Sequence, residues 1–334
     1  MSSEVVALPE LLAPVRAGLI AMREILSAEL SDQGPVGERV AHISRFRGKE
    51  LRAALVLLAG QAVDNRDPEL PQVAAVLELI HLATLVHDDV LDGADLRRNL
   101  PSVHVAWDEQ TAILLGDMLY SRAFHLSTRL RSILAASLLS LAAQRICAGE
   151  MEQAALRYRF DLDQDTYESI AAAKTAELYA AACELGARYK GEPGAWSDKE
   201  ERKALELKAF GRELGLAFQI MDDVLDVIGK EVEVGKRVGN DVEDGKVTLP
   251  ILWTYQNSSE TVQARIRLAY QDPSVTDRLQ ALREACDLEA GLAFARRRAQ
   301  ELLHSALGRL EAIPPSAARE ALQRIAEYVL YRKK

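Results

Sequence analysis

The sequence LVHDDVLD, residues 85–92, ends a long apolar segment, and FQIMDDVLD, residues 218–226, ends a second one with the same acidic pentad. Apolar residues flank both pentads, which is typical of helices that are mostly buried. The repeated stretch therefore predicts two long core helices, each carrying carboxylates near its end.

Each pentad concentrates carboxylates on one helix face. Positions four apart lie on the same face, so Asp88 and Asp92 point together, as do Asp222 and Asp226. Neither pentad contains a Lys or Arg, and a bound cation is the usual remedy for such repulsion. Carboxylates without His or Cys select a hard ion, and Mg²⁺ characteristically adds substrate phosphate oxygens. The pattern indicates a magnesium–diphosphate site.

A solvated helix end is the alternative interpretation of a single acidic pentad. Two copies, both flanked by apolar residues, favour the metal site. The physical reason is that burying an unpaired carboxylate costs several kcal/mol, so a buried pair of them needs a partner.

The rest of the chain also favours helix, because aromatic residues make up only 5% and Ala and Leu fill long stretches. Breakers such as Gly34-Pro35 and Asp272-Pro273 separate the segments, and none is long enough for an interdomain linker. The predicted helices are Leu11–Leu30, Leu51–Val63, Glu69–Leu91, Thr111–Leu126, Arg131–Ala155, Thr166–Tyr189, Asp198–Val227 and Leu249–Gln256, with several more between Glu260 and Tyr331. The sequence predicts no strand and one domain, residues 1–334, folded as an all-α, single large helical bundle.

Composition excludes several classes of protein. The 334 residues carry a formal net charge of −9, which argues against a general nucleic-acid-binding surface. Three cysteines without paired spacing predict a reducing compartment. The N-terminus does not resemble a signal peptide, and the apolar run from Ile133 to Ala143 is shorter than the ~20 residues of a spanning helix. We expect a cytoplasmic protein without a transmembrane segment.

A diphosphate needs positive charge near the pentads, and basic residues occur at the same helix ends. His81 falls on one helical stripe with Asp88 and Asp92. For His81, a core histidine bonded to a backbone carbonyl is as good an interpretation as ligand contact. The basic candidates are Lys49, Arg52, Arg97, Arg98, Lys174, Lys236, Arg237 and Lys246.

Together these residues resemble the trans-isoprenyl diphosphate synthase (polyprenyl synthetase) family, in the same order, from about Gly48 to Pro250. The resemblance implies the isoprenoid synthase fold, in which helices surround a central cavity and two diphosphate sites face each other. Besides the pentads, the matching pieces are Gly48-Lys49 with Arg52, Glu78 to His81, Arg97-Arg98, Gly116-Asp117, Gly149-Glu150 with Gln153, Lys174-Thr175-Ala176, Phe218-Gln219, Asp241, and Gly245-Lys246 with Thr248-Leu249-Pro250.

The resemblance also implies roles for single residues. Three Mg²⁺ ions would bridge the allylic diphosphate and the carboxylates of Asp88, Asp92 and Asp222, supported by Asp89, Asp223 and Asp226. The same diphosphate would contact Arg97, Lys174, Lys236 and Lys246, while Thr175 and Gln219 offer their dipoles to the allylic cation. Isopentenyl diphosphate would bind without metal on Gly48, Lys49, Arg52, His81 and Arg98, with Phe218 against its apolar part.

By the same resemblance, isopentenyl diphosphate condenses head-to-tail (1'-4) and in trans with an allylic diphosphate, farnesyl or geranylgeranyl. Metal-assisted ionisation gives an allylic cation, and apolar walls keep water away from it. Ala83 and Thr84, about one turn before the first pentad, are too small to stop the growing chain. We therefore expect a product of about C30 to C50; a geranylgeranyl (C20) product stays open if another large side chain closes the cavity.

A class I terpene cyclase and a non-catalytic partner subunit are the rival interpretations. A cyclase normally has a different second metal motif, and partner subunits commonly lose aspartates, whereas both pentads are complete here. The resemblance further implies a homodimer, and it leaves peripheral membrane contact during product release open. Departures from the family pattern at Arg47, Glu50 and Ala53 lie in the expected isopentenyl diphosphate site and predict altered affinity, not a lost site.

Overall fold

The computed structural model describes residues 8–31, 34–46, 48–190, 197–228 and 239–331. Within these ranges the chain is a bundle of helices with one very short hairpin. The helices are α1 (Leu8–Leu11), α2 (Arg16–Glu29), α3 (Gly37–Ile43), α4 (Leu51–Ala62), α5 (Leu70–Leu91), α6 (Val103–Ala106), α7 (Glu109–Thr128), α8 (Leu134–Ala155), α9 (Gln164–Ala171), α10 (Glu177–Arg188), α11 (Asp198–Ile228), α12 (Asn240–Glu243), α13 (Leu249–Gln256), α14 (Glu260–Gln271), α15 (Arg278–Ala285), α16 (Glu289–Arg309) and α17 (Ala317–Tyr331). Short 3-10 turns lie at Ala13–Val15 and Leu310–Ala312, and a π-helical turn at Ala172–Ala176 joins α9 to α10.

Helices α5 and α11 form the centre of the bundle and carry the two pentads. Helix α5 packs against α2, α4 and α7, and α11 packs against α10 and α16. Ile80 in α5 and Ile220 in α11 are fully buried, and each such side chain contributes ~1.5–3 kcal/mol on burial. Helix α10 packs on both α4 and α11, so it ties the two halves together. The packing of these apolar helices therefore decides where the carboxylates lie.

The predicted helices are confirmed within a few residues at their ends. The predicted helix Leu11–Leu30 is divided, because Pro14 lies in a 3-10 turn and the α-helix begins at Arg16. A proline lacks the N–H that a continuous helix would use. The short helices α3, α6 and α12 were not predicted, since each is too short to show a periodic pattern.

A two-residue hairpin corrects the prediction that the chain has no strand. Strand β1 (Leu96–Arg97) pairs with β2 (Leu100–Pro101) in antiparallel register. Between them Arg98 and Asn99 have φ of 54° and 64°, the left-handed pair that a tight two-residue hairpin turn requires. Asn99 tolerates this conformation, but Arg98 is not a residue that normally supplies it, so the local signal for the turn is weak.

Helix α5 is, in the described part of the chain, the helix long and apolar enough to cross a membrane. The prediction from the Ile133–Ala143 run overlooked it. However, 61% of its most apolar window is buried inside the bundle. Such burial is typical of a core helix, which satisfies the same length and composition criteria.

Candidate active site

Two adjoining cavities lie beside the pentads. The first pentad is at the end of α5, and the second is near the end of the described part of α11. The larger has a volume of about 840 Å³ and the smaller about 260 Å³. Arg52, His81, Arg97, Phe218 and Asp222 line both, so the cavities share a wall. The two pentads thus border one continuous space.

Four of the six pentad carboxylates line the smaller cavity: Asp88, Asp92, Asp222 and Asp223. The other two lie behind its wall. Asp89 is 1% exposed and accepts a bond from Arg97, with Nε to Oδ1 at 2.9 Å. Asp226 is equally deep, and its Oδ2 accepts from the backbone N of Asp241 at 3.1 Å. These two carboxylates therefore position other groups: Asp89 orients Arg97, and Asp226 orients the segment at Asp241.

Asp223 anchors a chain of hydrogen bonds across the smaller cavity. It accepts bonds from the hydroxyl of Tyr167 and from Nε2 of Gln219, the latter at 2.8 Å. The hydroxyl of Thr175 donates to Oε1 of Gln219 at 2.6 Å. Both ends of the Gln219 amide are thus held in one orientation. Tyr167 was not predicted, because it is 56 positions from Asp223 and a single tyrosine in a helix carries no local signal.

Lys174 and Thr175 reach the smaller cavity from the π-helical turn. A continuous helix was predicted here, and π turns are frequent at functional sites. The Lys174 ammonium contacts Glu150 Oε1 at 2.8 Å and also donates to Gln153. Gly149 permits this close packing, since a Cβ there would lie 2.8 Å from the Cβ of Ala173. Glu150 and Gln153, which belong to the pieces that resemble the family, therefore hold Lys174 in place.

Lys246 connects the first pentad to the segment that follows the second. Its ammonium lies 2.7 Å from Asp92 Oδ1, 3.1 Å from Asp244 Oδ2 and 3.6 Å from Asp241 Oδ1. Burial lowers the pKa of Lys246, but these carboxylates outweigh it and raise the pKa, so the side chain is charged. Gly245 makes the turn possible with a φ of 75°. Two other predicted basic residues, Lys236 and Arg237, lie outside the described residues.

The electrostatics of the carboxylates point to a cation. Burial raises the pKa of Asp88 to about 7, and the neighbouring Glu150 carboxylate acts in the same direction. Burial, with Asp241 second, also raises the pKa of Asp223. Asp88 lies in the last turn of α5, where the carbonyl end of the helix dipole disfavours a further negative charge. A cation in the smaller cavity would relieve all of these effects.

The donor set fits an ion that is shared with a diphosphate. In the described ranges, no three His, Cys, Asp or Glu side chains converge closely enough to hold a metal by themselves. Mg²⁺ is typically bound by one or two carboxylates together with substrate phosphates, not by an all-protein cage. Asp88, Asp92 and Asp222, which line the same cavity and offer oxygen donors alone, match that requirement.

We expect the metal-free protein to lose stability as pH rises from about 5 to 7. Asp88 keeps its proton to about pH 7 when folded, whereas an unfolded Asp loses it near 3.8. The folded state then binds more protons, so the free energy of unfolding falls as pH rises. Thermal melts in EDTA measure this decline. With Mg²⁺ the decline should be smaller, because the ion favours the deprotonated carboxylate; equal declines in both buffers would contradict the assignment.

The larger cavity is lined by every residue predicted for the second diphosphate: Gly48, Lys49, Arg52, His81, Arg98 and Phe218. Three of its basic groups contact uncharged groups, although the carboxylates of Glu50 and Glu78 also line this cavity. Arg52 lies 4.7 Å from the ring centroid of Tyr179, Arg98 donates to the carbonyl of Phe46, and Lys49 lies 5.3 Å from the ring centroid of Tyr328. Their positive charge is therefore not cancelled by these contacts.

In the smaller cavity, three basic groups bond to carboxylates. Arg97 pairs with Asp89, Lys174 with Glu150 and Lys246 with Asp92. In the larger cavity, Arg98 donates to a backbone carbonyl, so the guanidinium is not paired with an acid by that contact.

His81 was predicted either to contact a ligand or to be a core histidine bonded to a backbone carbonyl, and its surroundings combine features of both. It lines both cavities, and its Nε2 lies 3.0 Å from Nη1 of Arg52, not near a backbone carbonyl. Burial and the nearby Arg52 and Arg98 lower the pKa of His81 well below its ordinary value. The neutral imidazole therefore accepts a hydrogen bond and orients Arg52.

Of the two residues predicted to border the growing chain, only Thr84 lines a cavity. Its hydroxyl donates to the carbonyl of His81 at 2.8 Å, and its side chain borders the smaller cavity. Ala83 is fully buried and lines neither cavity. Adjacent residues on a helix point about 100° apart, which explains why the pair divides in this way.

Fold and site together define an all-α prenyltransferase of the isoprenoid synthase type. The Polyprenyl synthetase family model matches residues 35–286. The chain therefore belongs to the polyprenyl synthetase family.

Individual relatives agree with this assignment. The chain is 36% identical to "Heptaprenyl diphosphate synthase component 2" of Geobacillus stearothermophilus over 92% of each chain. It is 33% identical to "Octaprenyl diphosphate synthase" of Escherichia coli over 97% of each. Among solved structures, the polyprenyl synthase of Caulobacter crescentus, complexed with calcium and isoprenyl diphosphate, superposes with a TM-score of 0.91 at 30% identity, covering 99% of this chain and all of that one.

Proposed function

We propose that the chain condenses isopentenyl diphosphate with an allylic diphosphate, head-to-tail and in trans, to a polyprenyl diphosphate of about C30 to C50. The observation that carries the proposal is the contrast between the two cavities. Arg98 of the larger cavity and Arg52 of the shared wall contact uncharged groups, whereas Lys174 and Lys246 of the smaller cavity pair with carboxylates. That contrast suits one substrate that binds without metal and one that binds with it.

The allylic diphosphate occupies the smaller cavity. Asp88, Asp92 and Asp222 would hold the divalent ions, three Mg²⁺ by family analogy, and bound magnesium would neutralise the leaving pyrophosphate. The Caulobacter protein was solved with both calcium and isoprenyl diphosphate, which supports the use of a divalent ion with a diphosphate substrate. Arg97, held by Asp89, and Lys174, held by Glu150, are oriented in advance to bind the phosphate oxygens.

Breaking the allylic C–O bond leaves a carbocation that must react only with isopentenyl diphosphate. Apolar side chains of the smaller cavity, including Ile146, Leu156 and Ile170, exclude water from it. The oriented Gln219 amide offers its dipole to the cation. Phe218, whose ring is 5.6 Å from that of Tyr179, stands on the wall shared by the cavities, where an aromatic face stabilises passing positive charge.

Isopentenyl diphosphate occupies the larger cavity, with its diphosphate on Lys49, Arg52 and Arg98. Its double bond then attacks the cation across the shared wall, a C–C bond forms, and a proton leaves the adjacent carbon for an oxygen of the released pyrophosphate. His81 is neutral but its Nε2 is engaged by Arg52, so it is not the base.

The test is product analysis with the purified chain alone. We expect Mg²⁺, isopentenyl diphosphate and farnesyl diphosphate to yield, after dephosphorylation, alcohols of about C30 to C50. A sharp stop at C20 would refute the long-chain part of the proposal. A hydrocarbon formed without isopentenyl diphosphate would indicate a cyclase. No turnover by the chain alone would indicate a subunit that needs a partner, as the name "component 2" of the Geobacillus relative suggests for that protein.

We also propose that this single-domain chain works as a cytoplasmic homodimer. Helices α7 and α8 expose large apolar side chains, among them Leu114 at 58% and Met151 at 69%. Exposed apolar residues on neighbouring helices are typical of protein interfaces. Light scattering of the purified protein should give twice the mass of one chain, 36.8 kDa; a mass of one chain would contradict the dimer.

A further inference from the structure

Glu50 has a backbone conformation that its residue type disfavours. It directly precedes α4 with φ of 51° and ψ of 32°, in the left-handed region where glycine is usual. Such strain persists where surrounding structure enforces it, and it concentrates at functional sites. Glu50 lies between Lys49 and Leu51 on the wall of the larger cavity.

The strained residue holds an arginine from a different helix. Arg23 of α2 reaches Glu50 with Nη2 to Oε2 at 2.6 Å, Nε to Oε2 at 2.9 Å and Nε to Oε1 at 3.0 Å. The Arg23 side chain is 45% exposed. An ion pair with this exposure stabilises a fold only weakly. The weak stabilisation from this ion pair therefore does not explain why a glutamate occupies a position with a left-handed backbone conformation.

The position of the pair suggests a better reason. Arg23 lines the larger cavity together with Lys49, Arg52 and Arg98. A bare carboxylate at Glu50 would repel a diphosphate there, but Arg23 neutralises it. The contacts with Glu50 use Nε and Nη2, and the third guanidinium nitrogen, Nη1, lies outside them. A guanidinium can bind a carboxylate on one edge and a phosphate oxygen on another.

We propose that Arg23 is a further diphosphate-binding residue of the larger cavity and that Glu50 is its positioning residue. The inference rests on the proposed function, because it assigns Arg23 to the isopentenyl diphosphate that this cavity would take. It adds a charged group from α2 to a site whose other basic groups come from α4, the residues just before it, and the hairpin.

The test compares Arg23→Gln with Glu50→Gln. Arg23→Gln should raise KM for isopentenyl diphosphate about 10-fold, the effect of one charge-assisted hydrogen bond, with kcat and the allylic KM unchanged. Glu50→Gln keeps an oxygen that can hold Arg23 and removes a negative charge from the cavity wall. Its KM should therefore fall, by about threefold.

A purely structural ion pair predicts something different. Both variants would then lose thermal stability alike and change KM in the same direction, which would overturn the proposal, as would an unchanged KM in Arg23→Gln. The matched control is Arg129→Gln, which removes another ion pair to α2, with Glu29 at 3.6 Å, outside the larger cavity. That variant should leave every constant unchanged.

Calorimetry with isopentenyl diphosphate and no metal separates this inference from the proposed function. Arg23→Gln should lose about 10-fold in affinity relative to the unmodified chain. If the unmodified chain makes no prenyl product but this loss is seen, the proposed function fails and the binding role of Arg23 stands. If product forms and the affinities are equal, only the role of Arg23 fails.

Discussion

Asp88→Ala and Asp222→Ala should each reduce prenyl transfer on the order of 10³-fold without loss of the helical fold. Both carboxylates line the smaller cavity, where in the proposed function they would hold the metal that neutralises the leaving pyrophosphate. Removing one leaves the transition-state charge without its counter-ion, while little packing is changed. Steady-state rates at saturating Mg²⁺ and both substrates measure the loss, and circular dichroism checks the fold.

Stability gives a second and independent readout for Asp88→Ala. Because burial raises the pKa of Asp88 to about 7, the ionised carboxylate destabilises the metal-free protein at neutral pH. The variant should melt at or above the temperature of the unmodified chain in EDTA, and it should gain less from Mg²⁺. The control is Asp64→Asn, because Asp64 is 83% exposed and pairs only at the surface with Arg66. Near-normal rates in either cavity variant would contradict the metal assignment.

Thr84→Phe should shorten the main product from about C30–C50 to about C15–C20. Thr84 borders the smaller cavity one turn before Asp88, so an aromatic ring there would meet the chain soon after it leaves the diphosphate site. The lengths of the dephosphorylated products measure the effect. Thr84→Val keeps the size of the side chain and should keep the product length. An unchanged product from Thr84→Phe would mean that the chain leaves along another route.

Ala83→Phe separates the two neighbouring positions. Ala83 is fully buried and lines neither cavity, so a phenyl ring there must displace core side chains. Overpacking of this kind typically costs about 1–3 kcal/mol. We expect a lower melting temperature with little change in product length. A shortened product from a stable Ala83→Phe protein would show that the chain runs along the other face of α5.

Much of this fold and site could be predicted from the sequence, because the relevant signals depend on residues that are close along the chain. The helices follow from residue preference and apolar periodicity, which act within a few turns, so the predicted bounds of α4, α5 and α8 lie close to the observed ones. The pentads follow in the same way, since residues four apart share a face in any helix. The resemblance to the family rests on these local pieces and their order, and the family match over residues 35–286 agrees with it.

Only tertiary structure decided how the side chains pair. Lys246 and Asp92 are 154 positions apart, and Arg23 and Glu50 are 27 apart, so no pattern within one helix relates them. The left-handed turn at Arg98 and the π turn at Lys174 depart from what local residue preference predicts. Packing between distant segments brings these groups together. It thereby separates a cavity in which Arg98 donates to a backbone carbonyl from one in which Lys174 and Lys246 pair with acids.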